Sequence, residues 1–259
     1  MADFSPELPR LFVNSVPKAG THLIVQIVKG IPNIYQERYY RGGHSNEAVL
    51  TLKPGEMLFS HLPYEESFAK KMKQLDIKQI FIYRDLRDVA ISLVHFINEK
   101  LLEHPLYKVF KLRNLNFEEQ LNTVILGVKL EGEEKTHSWK LEDDYFPGIV
   151  EEFQPIYKWK DEPGICSVRY ESLIDPFLRD QEILKIIDYL WGNIQVLSLD
   201  KQELLHLMKN NIAPEKSWTF RKGTSGNWKI EFTESNKLNF KKAAGSLLMD
   251  MGYEKDLNW

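Results

Sequence analysis

Cysteine is nearly absent: one in 259 residues. That excludes an intrachain disulfide framework and fits a reducing compartment. The residue, Cys166, lies in the apolar stretch ICSV, which predicts a small buried side chain and not a reactive thiol. An excess of one charge is also missing. With 34 basic and 37 acidic residues the formal net charge is −3, so no global field draws the protein to nucleic acid or to an anionic membrane, and any basic site must be local. No apolar run approaches the roughly 20 residues that span a bilayer. The opening MADFSPELPR lacks the basic flank and apolar run of a secretory signal. Internal repeats and low-complexity segments are absent. So is the nucleotide loop G-x-x-x-x-G-K-[ST], which argues against an ATPase. These absences lead us to expect a soluble cytoplasmic protein with no nucleic-acid or membrane partner.

What remains is enough apolar sequence, 43% of residues, for a full core, and we expect a single domain over residues 1–259. Four short apolar runs, at 11–16, 57–59, 79–83 and 165–168, suit strands of a parallel sheet buried on both faces. Helical spacing follows the first run at Leu23, Ile24, Ile27 and Val28, and Gly30 with Pro32 close it. After the third run, Asp85 and Asp88 have the spacing of a capping box and open an apolar helix through Ile97. The alternation indicates an α/β layered fold, a central parallel sheet flanked by helices in three layers. From Asp180 onward the pattern is mostly helical.

In such sheets ligands bind beyond the carboxyl ends of the strands, where the next helix presents unpaired N–H groups. Lys18, Ala19, Gly20, Thr21 and His22 stand at that place. Gly20 lets backbone approach an anion, Lys18 adds a point charge and Thr21 a hydroxyl. Arg84 ends a strand in IYRDLRDVAISLVHF, and Ser92 follows eight residues later on the next helix, so both can serve the same sheet end. A third basic stretch, FRKGTSGNWK, puts Arg221 and Lys222 beside Gly223. Each stretch also admits an ordinary structural reading.

Together the three resemble the signatures of the PAPS-dependent sulfotransferases, enzymes that use 3′-phosphoadenosine 5′-phosphosulfate. PKAGT is similar to the family's 5′-phosphosulfate loop PKSGTTW, with Lys18, Gly20 and Thr21 matching. YRDLRDVAISLVHF resembles the 3′-phosphate element, which implies that role for Arg84 and Ser92. FRKGTSGNWK resembles R-K-G-x-x-G-D-W-K and carries Arg221, Lys222 and Gly223 to the same phosphate. FSHLP resembles T-H-L-P, whose histidine is the general base, here His61; histidine titrates near neutral pH, as that task requires. Tyr170 in SVRYESL matches an adenine-contacting tyrosine. The resemblance therefore implies a P-loop-like sulfotransferase fold and sulfuryl transfer to a small-molecule hydroxyl or, second, an amine. His61 and Lys18 would be catalytic, 3′,5′-ADP the product, and no metal would be required. A nucleotide-kinase-like phosphotransferase and a non-catalytic nucleotide-binding module are the competing readings.

The chain departs from the pattern at identifiable points. Phe59 stands where cytosolic members commonly have a lysine, His22 replaces the loop's second hydroxyl, and Leu23 replaces the tryptophan that stacks on adenine. Of the dimer signature K-x-x-x-T-V-x-x-x-E, Lys229 and Thr233 are kept while Glu234 and Leu238 replace the valine and glutamate. The resemblance does not extend to that dimer surface. Mid-chain, EGEEKTHSWKLEDD carries six carboxylates, Glu131, Glu133, Glu134, Glu142, Asp143 and Asp144. The stretch reads as a polar surface segment, and its sign would favour a cationic acceptor. Length and general appearance also resemble bacterial natural-product sulfotransferases, including those tailoring guanidinium alkaloids of the cylindrospermopsin and saxitoxin type.

Overall fold

The computed structural model describes residues 8–36, 45–135, 141–192 and 200–259. The first seven residues of the opening segment and the THSWK centre of the acidic stretch lie outside them. In chain order the elements are β1 (Arg10–Ser15), α1 (Thr21–Val28), β2 (Tyr35–Gln36), α2 (Ser45–Leu50), β3 (Glu56–Ser60), α3 (Glu66–Gln74) and β4 (Ile77–Tyr83). There follow α4 (Leu86–Lys100), α5 (Pro105–Leu112), α6 (Phe117–Leu126), β5 (Val128–Lys129), β6 (Tyr145–Phe146) and α7 (Ile149–Tyr157). The chain closes with β7 (Cys166–Arg169), α8 (Tyr170–Ile174), α9 (Arg179–Trp191), α10 (Lys201–Asn210), α11 (Trp228–Glu231) and α12 (Glu234–Asp250). These residues form two compact units: one runs to Arg84 and resumes over Ile156–Gly223, the other comprises Asp85–Pro155 and Thr224–Trp259. No helix among the described residues is long and apolar enough to cross a membrane.

The first unit holds a five-stranded sheet in the order β2-β3-β1-β4-β7, every pair parallel. All four strands expected from the apolar runs are present. The fifth, β2, has only two residues and an exposed Tyr35, too short to leave an alternation in the sequence. Because side chains alternate across a strand, β1 feeds two cores. Leu11 and Val13 join Ile80, Ile82 and Val168 against Ile24 and Ile27 of α1, Ile183 and Ile187 of α9 and Met208 of α10. On the opposite face Phe12 meets the ring of Phe68 on α3, which in turn packs edge-on against Trp159. Burial on both faces explains why these strands read as continuous apolar runs.

Cys166 sits inside the first core, and burial pushes its thiol up to about 12. Thiolate is the nucleophile, so iodoacetamide at pH 8 is expected to leave the native protein unmodified and to label Cys166 once urea unfolds it. Rapid labelling of the folded protein would contradict this placement.

The second unit is mainly helical, α6 packing on both α4 and α12, with β5 and β6 as a short antiparallel hairpin. Its buried arginine is fully partnered. Arg87, 2% exposed, bonds both oxygens of Asp85 and Oε1 of Glu254, and its guanidinium lies 3.7 Å from the ring centre of Trp228. The capping-box expectation needs correction. Asp85 does cap α4, accepting from the Arg87 N–H, but the Asp88 carboxylate turns to the Gly226 and Trp228 N–H groups at 2.6 and 3.1 Å. A charged acceptor gains more from two otherwise buried amides than from a helix terminus already capped. Thr233, one of the two retained positions of the dimer signature, caps α12 in a box with Asn236.

Candidate functional site

β1 is the point where the sheet's chain path reverses: from β1 the chain goes to the edge strand β2 and returns to β3 on one side, then crosses to β4 on the other. Ligand clefts open at the carboxyl ends of strands at such a point. Four adjacent strands of the first unit end in four of the residues singled out by sequence. β3 runs into His61, β1 into the turn with Lys18, β4 into Arg84 and β7 into Tyr170.

The turn after β1 is shaped by its backbone. Lys18 is held at φ 65° and Gly20 at φ 96°, both in the region L-residues avoid. At Gly20 a Cβ would stand 2.5 Å from Cδ2 of Tyr170, so only glycine fits. Tyr170, 7% exposed, lies beneath the Arg84 guanidinium, 4.4 Å from its ring centre, and Arg84 Nη1 donates to the Lys18 carbonyl at 3.2 Å. The Tyr157 hydroxyl fixes the Arg84 carbonyl at 2.5 Å. Lys18, Gly20, Arg84 and Tyr170 therefore form one packed group, in which the tyrosine ring touches both Gly20 and the Arg84 guanidinium. No side chain caps α1, and the N–H groups of Gly20, Thr21, His22 and Leu23, which precede the first intrahelical bond, have no acceptor in the helix. With the helix dipole they make an anion cradle.

His61 is placed by β1. Asn14, fully buried, accepts from the Leu62 N–H and donates to the Leu62 carbonyl, a two-point clamp on the residue after His61. Nδ1 of His61 lies 2.8 Å from the Ser15 carbonyl oxygen and 2.9 Å from its hydroxyl. That hydroxyl is 2.7 Å from Oγ1 of Thr21 at the start of α1. Ser15 belongs to the strand face that packs on α1, which is why its hydroxyl reaches Thr21. Asn14 and Ser15 were not anticipated, since FVNSV reads as plain strand. The available signal was two polar residues ending an apolar run, at positions the sheet then buries.

His22 and Phe59 meet as an edge-on pair, ring centres 6.3 Å apart. Burial first, and the Lys18 charge second, hold the His22 imidazole below its ordinary value. Near neutral pH it is therefore an uncharged ring with one N–H to donate. The apolar edge of Phe59 occupies the place of a family lysine without bringing charge. Leu23 packs on the first core.

The remaining basic residues occupy a loop. Arg221 is half-buried, Lys222 exposed, and Gly223 takes φ 65° with the Phe220 ring edge 2.8 Å from where a Cβ would lie. Asp88 ties the next part of the chain, at Gly226 and Trp228. Ser92 is half-buried on α4 in the second unit.

The acidic stretch is less uniformly exposed than its composition suggests. Glu134 is 5% exposed and takes Nε and Nη2 of Arg113 at 2.6 Å each, and that hydrogen-bonded pair holds its carboxyl below the usual range. Asp144 pairs with Lys135. Sequence could not separate these two from Glu131, Glu133, Glu142 and Asp143, because their cationic partners are set by the fold.

The family model described as the sulfotransferase domain matches residues 39–252. The match starts after the β1 turn, so the likeness of PKAGT rests on its own residues and geometry. The 3-beta-hydroxysteroid sulfotransferase of Cavia porcellus is 23% identical over 93% of this chain and 88% of its own. Sulfotransferase 2A6 of Mus musculus is 26% identical over 90% and 81%. Among solved structures, mouse sulfotransferase SULT7A1 complexed with PAP superposes with a TM-score of 0.62 at 17% identity, covering 96% of this chain and 88% of that one. Retinol dehydratase in complex with androsterone and PAP gives 0.56 at 16%, covering 95% and 83%. At these identities the superpositions establish the fold.

Proposed function

The chain belongs to the sulfotransferase family, and from that premise we propose that it transfers a sulfuryl group from PAPS to a small-molecule hydroxyl at the strand ends of the first unit. The observation that carries the placement is the convergence of Lys18, His61, Arg84 and Tyr170 on four neighbouring strand ends. The residues fit the donor. Gly20 lets the turn pack against the Tyr170 ring, where a Cβ would clash, the first N–H groups of α1 serve the 5′-phosphosulfate with Ala19, Thr21 and His22, and Lys18 offsets charge on the bridging oxygen. Arg84, Ser92, Arg221, Lys222 and Gly223 are assigned to the 3′-phosphate by their motifs, and Tyr170 braces the cradle from below.

His61 takes the acceptor's hydroxyl proton as that oxygen bonds to sulfur. The bond from sulfur to the 5′-phosphate oxygen breaks, its electron pair leaves with 3′,5′-ADP, and the imidazolium later returns the proton to water. A sulfuryl group carries less charge than a phosphoryl group, so fixed lysine and arginine charges suffice in our reading without a metal. A cationic acceptor, such as a guanidinium-bearing alcohol, draws support only from the exposed Glu131, Glu133, Glu142 and Asp143, because Glu134 and Asp144 are already paired.

The Arg221→Ala variant tests the 3′-phosphate assignment. Loss of one charged hydrogen bond costs about 1.5 to 3 kcal/mol, so calorimetry should show 3′,5′-ADP binding weakened at least tenfold while 5′-AMP binding hardly changes. Equal weakening of both ligands would remove Arg221 from the site.

A further inference from the structure

We propose that Ser15 holds His61 as the Nδ1–H tautomer, which places the reactive lone pair on Nε2, and that Ser15 thereby acts as a positioning residue for proton removal from the acceptor. The inference deepens the reading of His61 as general base and rests on it.

A neutral imidazole has one N–H and one bare nitrogen, and which is which follows from the partner on the fixed side. Here that partner is a carbonyl. The Ser15 oxygen, 2.8 Å from Nδ1, has lone pairs only and can do nothing but accept. A bare Nδ1 would set two lone pairs against each other at hydrogen-bond distance, in a strand whose residues 14 and 15 are fully buried. With the proton on Nδ1 the contact is a normal donor–acceptor pair. The Ser15 hydroxyl then follows. It stands 2.9 Å from the same nitrogen and 2.7 Å from Oγ1 of Thr21, so it shares the Nδ1 proton as a second acceptor and gives its own hydrogen to Thr21.

This arrangement has a chemical use. When Nε2 takes the acceptor proton, the Nδ1–H bond to the carbonyl is already made and strengthens as the ring becomes cationic. No second proton need move. Ring rotation is opposed from the backbone side as well, because the Asn14 amide grips both polar groups of Leu62. One buried serine thus joins the base to the first turn of α1, where the sulfuryl donor is read to bind.

Two experiments test the proposal. In the full chain with ¹⁵N-labelled histidine, at a pH where His61 is neutral, the ring is expected to show a protonated Nδ1 and a bare Nε2, assigned by loss of the signal in His61→Ala. A protonated Nε2 would overturn the proposal whatever the enzyme's activity. In kinetics, Ser15→Ala should lower kcat about 2- to 10-fold, the size of one net hydrogen bond, and cause no further loss in a His61→Ala background. The same loss in both backgrounds, or none in either, would show that the hydroxyl does not act through His61. A failure of the base reading itself looks different: His61→Ala would turn over normally while the ring still showed Nδ1–H.

Discussion

His61→Ala is expected to lower turnover about 10²- to 10⁴-fold, the usual contribution of a positioned base, while 3′,5′-ADP binding stays nearly constant. The split follows from where the ring sits. Nδ1 is held by Ser15 and, through Ser15, tied to Thr21, and in the proposed mechanism the ring takes the acceptor's proton and bonds no part of the nucleotide. Removing an interaction used only while the proton moves lowers kcat and kcat/KM together. Phe59 makes the loss harder to offset, because no lysine stands two residues away to stabilise the departing charge. Turnover within a few-fold of the parent enzyme would end the assignment.

Gly20→Ala is the second large effect, and it should act on binding and stability at once. The backbone at φ 96° disfavours any side chain, and a Cβ would meet Cδ2 and Cε2 of Tyr170 at 2.5 and 2.9 Å with Ile82 Cδ1 at 3.4 Å behind them. The tyrosine cannot yield alone, since the Arg84 guanidinium packs on its ring and bonds the Lys18 carbonyl. Strain of about 1 to 3 kcal/mol from the backbone and a similar amount from overpacking should appear in urea unfolding. The displaced cradle should weaken 3′,5′-ADP by more than tenfold. At Gly223 the neighbour is the edge of the exposed Phe220 ring, which can swing away, so Gly223→Ala should cost less, chiefly the backbone strain of φ 65°. Unchanged nucleotide affinity in Gly20→Ala would mean that the turn does not hold the ligand.

Much of the fold was legible because its signals are local. Strands buried on both faces leave unbroken apolar runs, and a glycine after a strand marks a turn whatever surrounds it. The candidate site was legible in a different way: Lys18, Arg84 and Arg221 are charged residues near glycine or at strand ends, and it is the likeness to known signatures that proposes a common ligand for them. What stayed hidden depends on tertiary neighbours. Asp88 reads as half of a capping box until the fold brings Gly226 and Trp228 to its carboxylate. Glu134 reads as surface until Arg113 covers it. Tyr170 reads as a ligand contact, yet much of its ring is engaged by Gly20 and Arg84. Asn14 and Ser15 show in the sequence only as two polar residues ending an apolar run, because the groups they bond lie 46 to 48 residues away.

Sulfuryl transfer is tested most directly by following labelled sulfur from PAPS to a small panel of hydroxyl compounds, a phenol, a 3β-hydroxysteroid and a guanidinium-bearing alcohol, each assayed with and without excess EDTA. A PAPS-dependent sulfotransferase should give a labelled sulfate ester from at least one of them, release one 3′,5′-ADP per ester, and run at the same rate with the chelator present. Absence of transfer to every hydroxyl compound, together with phosphoryl transfer when ATP and Mg²⁺ replace PAPS, would contradict that activity.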